Sequence, residues 1–208
     1  MRRPVVWPLC EVAANTSMKL YTRKGDDGGT VLLDGTRVRK DDGRIVAFGT
    51  LDELNAHIGV AVSLVAGCEP GGPIEVIRQR LPHVQSELFS IGAELASLGT
   101  AKRPETILQT TAKQVARLET WIDEACEPLA PLKTFVLPGG SAFASALHVC
   151  RTVSRRAERV VVSLSPPHAV NPHTLVFLNR LSDLLFAWAR LANHASGVAD
   201  VPWRKPDA

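Results

Sequence analysis

Apolar residues recur at threes and fours between Arg44 and about Ala66, at Phe48, Leu51, Leu54, Ile58, Val62 and Val65, and this spacing predicts a helix. Asp41 and Asp42 stand where its N-cap belongs. The same periodicity predicts a second helix from Ile74 to about Leu98, with Pro82 at a kink or restart, and a third from Thr111 to Cys126, closed by Pro128 and Pro131. The turn Leu137-Pro138-Gly139-Gly140 leads to Ser141, the N-cap of a fourth helix that reaches about Leu164. A fifth runs from Pro172 to His194 and ends near Gly197. Residues 19–43 are rich in glycine and aspartate and show no helical period, so they read as a loop with at most short extended pieces. Helices with short connections and no strand pattern predict an all-α fold, an antiparallel five-helix bundle forming one domain over residues 19–196. Residues 1–18 are expected to be a disordered extension, Met18 standing just ahead of the motif-rich region, and residues 197–208 a C-terminal tail.

The polar faces of these helices carry the chemistry. On the fourth helix Arg151, Arg155 and Glu158 share a face, with Arg159 beside them and His148 one turn earlier. Ala146, Cys150, Val153, Ala157, Val160 and Leu164 form an apolar stripe on the opposite side. Planar guanidinium forks suit phosphate oxygens, although a solvated face with internal Arg–Glu pairs has the same pattern. Composition narrows the choice. A chain of 208 residues with 45% hydrophobic content supports one core, and a net charge of +3 is too weak for nucleic-acid binding while favouring an anionic small molecule. Cys10, Cys68, Cys126 and Cys150 form no C-x-x-C pair, which indicates neither a zinc site nor a disulfide framework but thiols of a reducing, cytoplasmic setting. The histidines lack metal-site spacing, no protein-held metal is expected, and no apolar run reaches the length of a membrane span.

Thr22, Arg23, Lys24, Gly25 and Thr30 have the ingredients of an anion cradle, with glycine N–H groups, two cations and two hydroxyls; Lys40 either extends it or is a solvated lysine. The spacing is not that of a Walker A loop, and a plain surface turn has similar composition. On the first helix Asp52 and Asn55 lie together, away from the apolar stripe. They form either a polar outer face or a site where Asp52 meets an arginine of the fourth helix, within the chain or across a subunit contact. On the fifth helix Phe177, Leu181, Leu184, Leu185 and Trp188 face the core. Asn179, Ser182, Asp183 and Arg190 lie opposite with Phe186 in their midst, and an aromatic there calls for cover by a partner subunit or a large flat ligand. Asn179 suits a nucleotide or a local backbone cap equally, and Phe135 suits the core or a ligand face.

In this order, several stretches resemble the propanediol-utilisation type of ATP:cob(I)alamin adenosyltransferase. They are Tyr-Thr-Arg-Lys-Gly-Asp at 21–26, Arg-Val-Arg-Lys-Asp-Asp at 37–42, Phe-Gly-Thr-Leu-Asp-Glu-Leu-Asn at 48–55, Phe-Val-Leu-Pro-Gly-Gly-Ser at 135–141, the segment 147–159, and Leu-Asn-Arg-Leu-Ser-Asp at 178–183. The resemblance implies a homotrimer with ATP at subunit interfaces. Thr22, Arg23, Lys24, Gly25, Thr30 and Lys40 would hold the triphosphate, with Mg2+ on the phosphates, and Arg155, Arg156, Glu158, Arg159 and Asn179 would complete the nucleotide site. Asp52 and Arg151 match a pair that bridges subunits, and Phe135 matches an aromatic that crowds the lower corrin face and excludes an axial ligand from cobalt. Arg155, Arg151, Asp52 and Phe135 are thus the candidate catalytic group, and Phe135, His148 and Phe186 the candidate cobalamin contacts. Lys24 stands where family members usually carry threonine, and Phe48 where tyrosine is common. The implied activity is transfer of the 5′-deoxyadenosyl group of ATP to cob(I)alamin or a corrinoid precursor. A reductase and a cobalamin-dependent mutase are implied partners. A non-catalytic carrier of ATP and cobalamin fits the same motifs, whereas a helical nucleic-acid binder is disfavoured by the modest charge.

Overall fold

The computed structural model describes residues 21–100 and 106–205; the expected N-terminal extension and the last three residues lie outside that range. A small antiparallel hairpin, β1 (Gly29–Val31) and β2 (Arg37–Arg39), precedes five helices, α1 (Gly43–Ser63), α2 (Pro73–Ala96), α3 (Ala112–Cys126), α4 (Ala142–Val162) and α5 (Pro172–Ala195). The hairpin pairs Thr30 with Val38, so the Gly/Asp-rich loop is anchored at both ends by backbone hydrogen bonds.

Each helix begins at a local signal. Asp42 caps α1, accepting from the Arg44 N–H at 2.9 Å, and the Arg44 guanidinium returns to the same carboxylate. The guanidinium hydrogen bond holds the Asp42 carboxyl well below its usual range, at about 2. Arg44 also donates to the Leu98 carbonyl at 2.9 Å, tying the start of α1 to the end of α2. Thr111 and Gln114 form a capping box on α3, Ser141 caps α4 through the Ala144 N–H, and Asn171 caps α5 ahead of Pro172. Pro82 neither breaks nor restarts α2, which continues through it as one helix.

Helix α5 is the hub: it packs on α4, α3 and α2, while α1 packs on α4 and α2. Phe177, Leu181, Leu184, Leu185 and Trp188 of α5 are buried, as the sequence period requires. Helix α1 reaches the length and hydropathy of a membrane span, which the reading of apolar runs did not anticipate. Its Ala47, Leu51, Leu54, Ile58 and Ala61 instead join the core cluster. Asn55 is also buried and donates to the Gln85 carbonyl at 3.3 Å, so it lies in the α1–α2 seam and not on a polar outer face, although it lines the same cleft as Asp52. Ser182 is likewise buried and bonds back to the Asn179 carbonyl.

A polar knot closes the far end of the bundle. The buried Glu94 side chain of α2 accepts from the Thr110 N–H at 2.9 Å, the Thr110 hydroxyl at 3.1 Å and the Thr174 hydroxyl at 3.2 Å. Asn171 adds a bond to the Thr110 carbonyl. Glu94→Ala removes the common acceptor and leaves buried donors unpaired, each costing on the order of 1–3 kcal/mol. We expect a stability loss of about 3 kcal/mol, read from the urea midpoint; an unchanged midpoint would show that the knot contributes nothing.

Residues 198–203 do not form a free tail. They fold back and pair with residues 135–137, with a bridge between Val136 and Pro202. Gly197, at φ +67°, supplies the left-handed turn that starts this return.

Candidate functional site

The loop preceding β1 is built around short-range backbone contacts. Gly28 donates to the Gly25 carbonyl, and Lys40 N–H donates to the Gly28 carbonyl at 2.9 Å. A Cβ on Gly25 would come within 3.3 Å of Lys40 Nζ, so the lysine amine lies directly against the loop. A Cβ on Gly29 would meet the Arg37 guanidinium at 2.6 Å, so a larger residue there would push Arg37 out of its present position. Arg37 is paired with Asp27, and the Gly29 N–H donates to the same carboxylate; these contacts hold the Asp27 carboxyl below its usual range. The acid at 27 is therefore engaged, whereas Arg23, Lys24 and Lys40 make no ion pair among the described residues. Arg23 adopts φ +60°, a conformation that costs a non-glycine residue energy, and its guanidinium lies over the Tyr21 ring. Thr22, Arg23 and Lys24 are exposed, and Thr30 is half-buried in the hairpin.

The arginines of α4 divide into engaged and unengaged groups. Arg156 forms an ion pair with Glu53 of α1, a partner the sequence did not single out. Arg159 donates to the Arg155 carbonyl at 3.1 Å, and Glu158 accepts from Asn179 of α5 at 3.1 Å, so the α4 and α5 candidates do meet. Arg180 bonds Asn179 on its other side. The Arg155 guanidinium is exposed and makes no ion pair among the described residues. Arg151 is half-buried, its Nε is buried without a partner, and burial followed by the charge of Arg155 lowers its pKa. An unmatched, partly desolvated guanidinium is an open demand for an anion.

Asp52 does not meet that demand within the chain. It lines an apolar cleft of about 310 Å³ on the α1–α2 side, among Val31, Leu33, Phe48, Leu88 and Phe89, and it forms no ion pair among the described residues. Phe48 is half-buried at this cleft. No hydrogen bond or ion pair among the described residues joins the 22–30 loop to α4 either. Within a single protomer the two halves of the candidate nucleotide site therefore share no hydrogen bond or ion pair among the described residues.

His148 is not on the solvated arginine face: it is buried, its ring 6.0 Å from that of Phe186 on α5. Burial first, and then Arg151, lowers its pKa, and its Nδ1 has no partner. Phe135 is 81% exposed in the middle of the α3–α4 connection. Its carbonyl accepts from the Trp203 N–H at 2.7 Å, and the Leu137 N–H donates to Val201 at 2.8 Å. The sequence reading missed this returning strand. Its signal was present in Val201 and Trp203, apolar residues placed beyond the last helix. Among the described residues no group of three or more His, Cys, Asp or Glu side chains gathers to hold a metal ion.

The family described as Cobalamin adenosyltransferase matches residues 20–192. A cobalamin adenosyltransferase of Cupriavidus metallidurans is 46% identical over 92% of this chain and 97% of its own length. A corrinoid adenosyltransferase of Bacillus subtilis is 44% identical over 90% and 93%. Among solved structures, a variant PduO-type ATP:corrinoid adenosyltransferase from Lactobacillus reuteri, complexed with cobalamin and ATP, superposes with a TM-score of 0.81 at 36% identity, covering 90% of this chain and 100% of that one.

Proposed function

The chain belongs to the PduO-type cobalamin adenosyltransferase family, and from that membership we propose a division of labour among its residues. The protein is an ATP:corrinoid adenosyltransferase: it moves the 5′-deoxyadenosyl group of ATP onto the cobalt of cob(I)alamin and releases triphosphate. A carrier that only binds and delivers the coenzyme is not favoured by relatives that are adenosyltransferases throughout.

In the reaction the cobalt(I) electron pair forms the Co–C5′ bond while the C5′–O bond breaks, and that bonding pair leaves with the triphosphate. So strong a nucleophile needs no side-chain base, which fits a site built of cations, glycines and aromatics. Charge accumulates on the leaving group, so preorganised cations aimed at it lower the barrier. Thr22, Arg23, Lys24, Gly25, Thr30 and Lys40 cradle the triphosphate, and Arg155 and Arg159 approach it from α4. Arg156, fixed by Glu53, and Glu158, fixed by Asn179, frame the nucleoside end. Mg2+ enters with the substrate as MgATP and is held by the phosphates. Lysine at 24 contributes charge and backbone where a hydroxyl is common.

A homotrimer with interfacial sites is part of the proposal. What supports it is the absence of any hydrogen bond between the loop and α4 among the described residues, together with two charges that lack ion pairs there, Asp52 in the α1–α2 cleft and half-buried Arg151. A neighbouring copy offering its Arg151 to Asp52 would satisfy both and bring a loop to a foreign arginine face. Phe135 presses on the lower corrin face, with Phe186 and neutral His148 lining the corrin site. The free thiols Cys68, Cys126 and Cys150 fit a cytoplasmic setting with a separate reductase and a cobalamin-dependent mutase as recipient.

The observation that carries this reading is the unengaged Arg155 beside unengaged Arg151 on a helix whose Arg156 and Glu158 are paired with Glu53 and Asn179. Its test is turnover: cobalamin reduced anaerobically, mixed with MgATP and protein, is expected to lose the cob(I) spectrum over many equivalents. At most one equivalent consumed per subunit would return the carrier reading.

A further inference from the structure

The returning C-terminal segment is fastened by a cluster one helical turn from Phe186 on α5, and the Asp200 carboxylate within it also acts on the His148 ring. Asp200 accepts from Arg190 Nε of α5 at 2.8 Å and from Asn193 Nδ2 at 3.4 Å. The Arg190 and Asp200 side chains are only 12% and 23% exposed, so solvent screens this pair less than a surface pair. Both donors hold the opposite segment as well. Arg190 Nη2 donates to the Ala130 carbonyl at 2.9 Å, and Asn193 Nδ2 donates to the Gly139 carbonyl at 3.0 Å. Asn193 Oδ1 accepts from the Ser141 N–H at 3.0 Å, and the Asn193 carbonyl accepts from the Val198 N–H at 2.9 Å. Gly140, at φ +110°, leaves no space for a Cβ against Asn193. The buried Asn193 thus clamps the start of α4, the 139–141 turn and the returning strand at one point.

From this clamp the chain runs out to Phe135. Two backbone bonds, Trp203 N–H to the Phe135 carbonyl and Leu137 N–H to the Val201 carbonyl, flank the isolated antiparallel bridge between Val136 and Pro202 and set Phe135 opposite Trp203. Phe135 is 81% exposed and has almost no side-chain packing of its own to orient it. Its direction is therefore set through its backbone. That backbone is held on one side by the strand that Asp200 fastens and on the other by the 139–141 turn.

We propose that Asp200, through Arg190 and Asn193, is a positioning residue for Phe135, holding the aromatic at the height where it excludes an axial ligand from cobalt. The inference rests on the reading of Phe135 given above. A displacement of the order of 1 Å at such a site costs up to a hundredfold in rate. Asp200→Ala is expected to slow adenosylation from cob(II)alamin with reduced flavin by roughly tenfold or more, and from chemically reduced cob(I)alamin by less than about twofold. The absorption and paramagnetic spectra of cob(II)alamin bound with ATP are expected to shift toward the axially ligated form, and KM for ATP to stay unchanged. Asp200→Asn keeps one acceptor oxygen, for Arg190 or Asn193 but not both, and is expected to restore part of the selective loss; should Asp200→Ala not fold, this variant decides the question in the same assays. Wild-type rates in both assays, or equal losses in both, overturn the proposal. Phe135→Ala run alongside separates the two layers: a selective loss there with a silent Asp200→Ala rejects the clamp alone, whereas equal losses for Phe135→Ala reject the role of the aromatic itself.

Discussion

Arg155→Ala is expected to lower kcat by a factor of 10² to 10³, roughly 2.7–4 kcal/mol of transition-state stabilisation, with the fold intact. The size follows from where the guanidinium stands. Arg156 is committed to Glu53, and Arg159 donates to a backbone carbonyl, but Arg155 has no carboxylate partner among the described residues and is exposed toward the α4 face. Its removal therefore breaks no internal ion pair, and thermal stability should change little. The loss should appear mainly in kcat, because charge on the departing triphosphate grows as the C5′–O bond breaks. Arg155→Lys should recover part of the rate, since a point charge remains while the planar fork is lost. The measurement is steady-state turnover from chemically reduced cob(I)alamin with saturating MgATP. A variant within about threefold of the parent would remove Arg155 from the transition state and leave the α4 face a solvated one.

Phe135→Ala is expected to separate two steps that the parent protein couples. Starting from cob(II)alamin with a mild reductant, the rate should fall by roughly 10²-fold; starting from preformed cob(I)alamin it should fall far less. Cob(II)alamin resists reduction while water or a base holds its axial site, and a bulky apolar ring against that face displaces the ligand. The ring is 81% exposed in the protomer, an arrangement that costs apolar exposure unless a ligand covers it. Because the side chain is so little packed, truncation leaves the core unchanged, and the variant should melt with the parent. Phe135→Trp, which keeps apolar area, should retain part of the activity from cob(II)alamin. Equal losses from both starting states would show that Phe135 serves binding and not ligand exclusion.

The helices were legible because each is marked twice, by an apolar period and by a terminal signal. Asp42, Ser141 and Asn171 all cap, Pro172 opens α5, and Gly197 closes it, so starts and stops fall within a few residues of their sequence positions. Where a residue lay on a boundary between stripe and polar face, period alone failed. Asn55 and Ser182 are polar yet buried, because each finds a backbone carbonyl to bond. His148 shares a helical face with Arg151 in projection, yet packs against Phe186, because α5 covers the α4 face at that height. The returning strand had no periodic signature at all. A single bridge is too short to show alternation, and apolar Val201 and Trp203 mark the segment without saying what it pairs with.

The sequence by itself determined the five helices, their order, the buried stripe of α5 and the inventory of cations, glycines and aromatics, because these follow from local periods, caps and residue chemistry. Only the tertiary structure decided which of those charges are already matched. Arg156 has its ion-pair partner on another helix, and Asp27 and Arg190 have theirs beyond a turn of the chain, while Arg155, Arg151 and Asp52 have none among the described residues. It alone also tied Phe135 to the strand that returns after α5. Ion pairs and strand pairings join residues far apart in the chain, and their free energy depends on distance and burial, quantities that no local pattern contains.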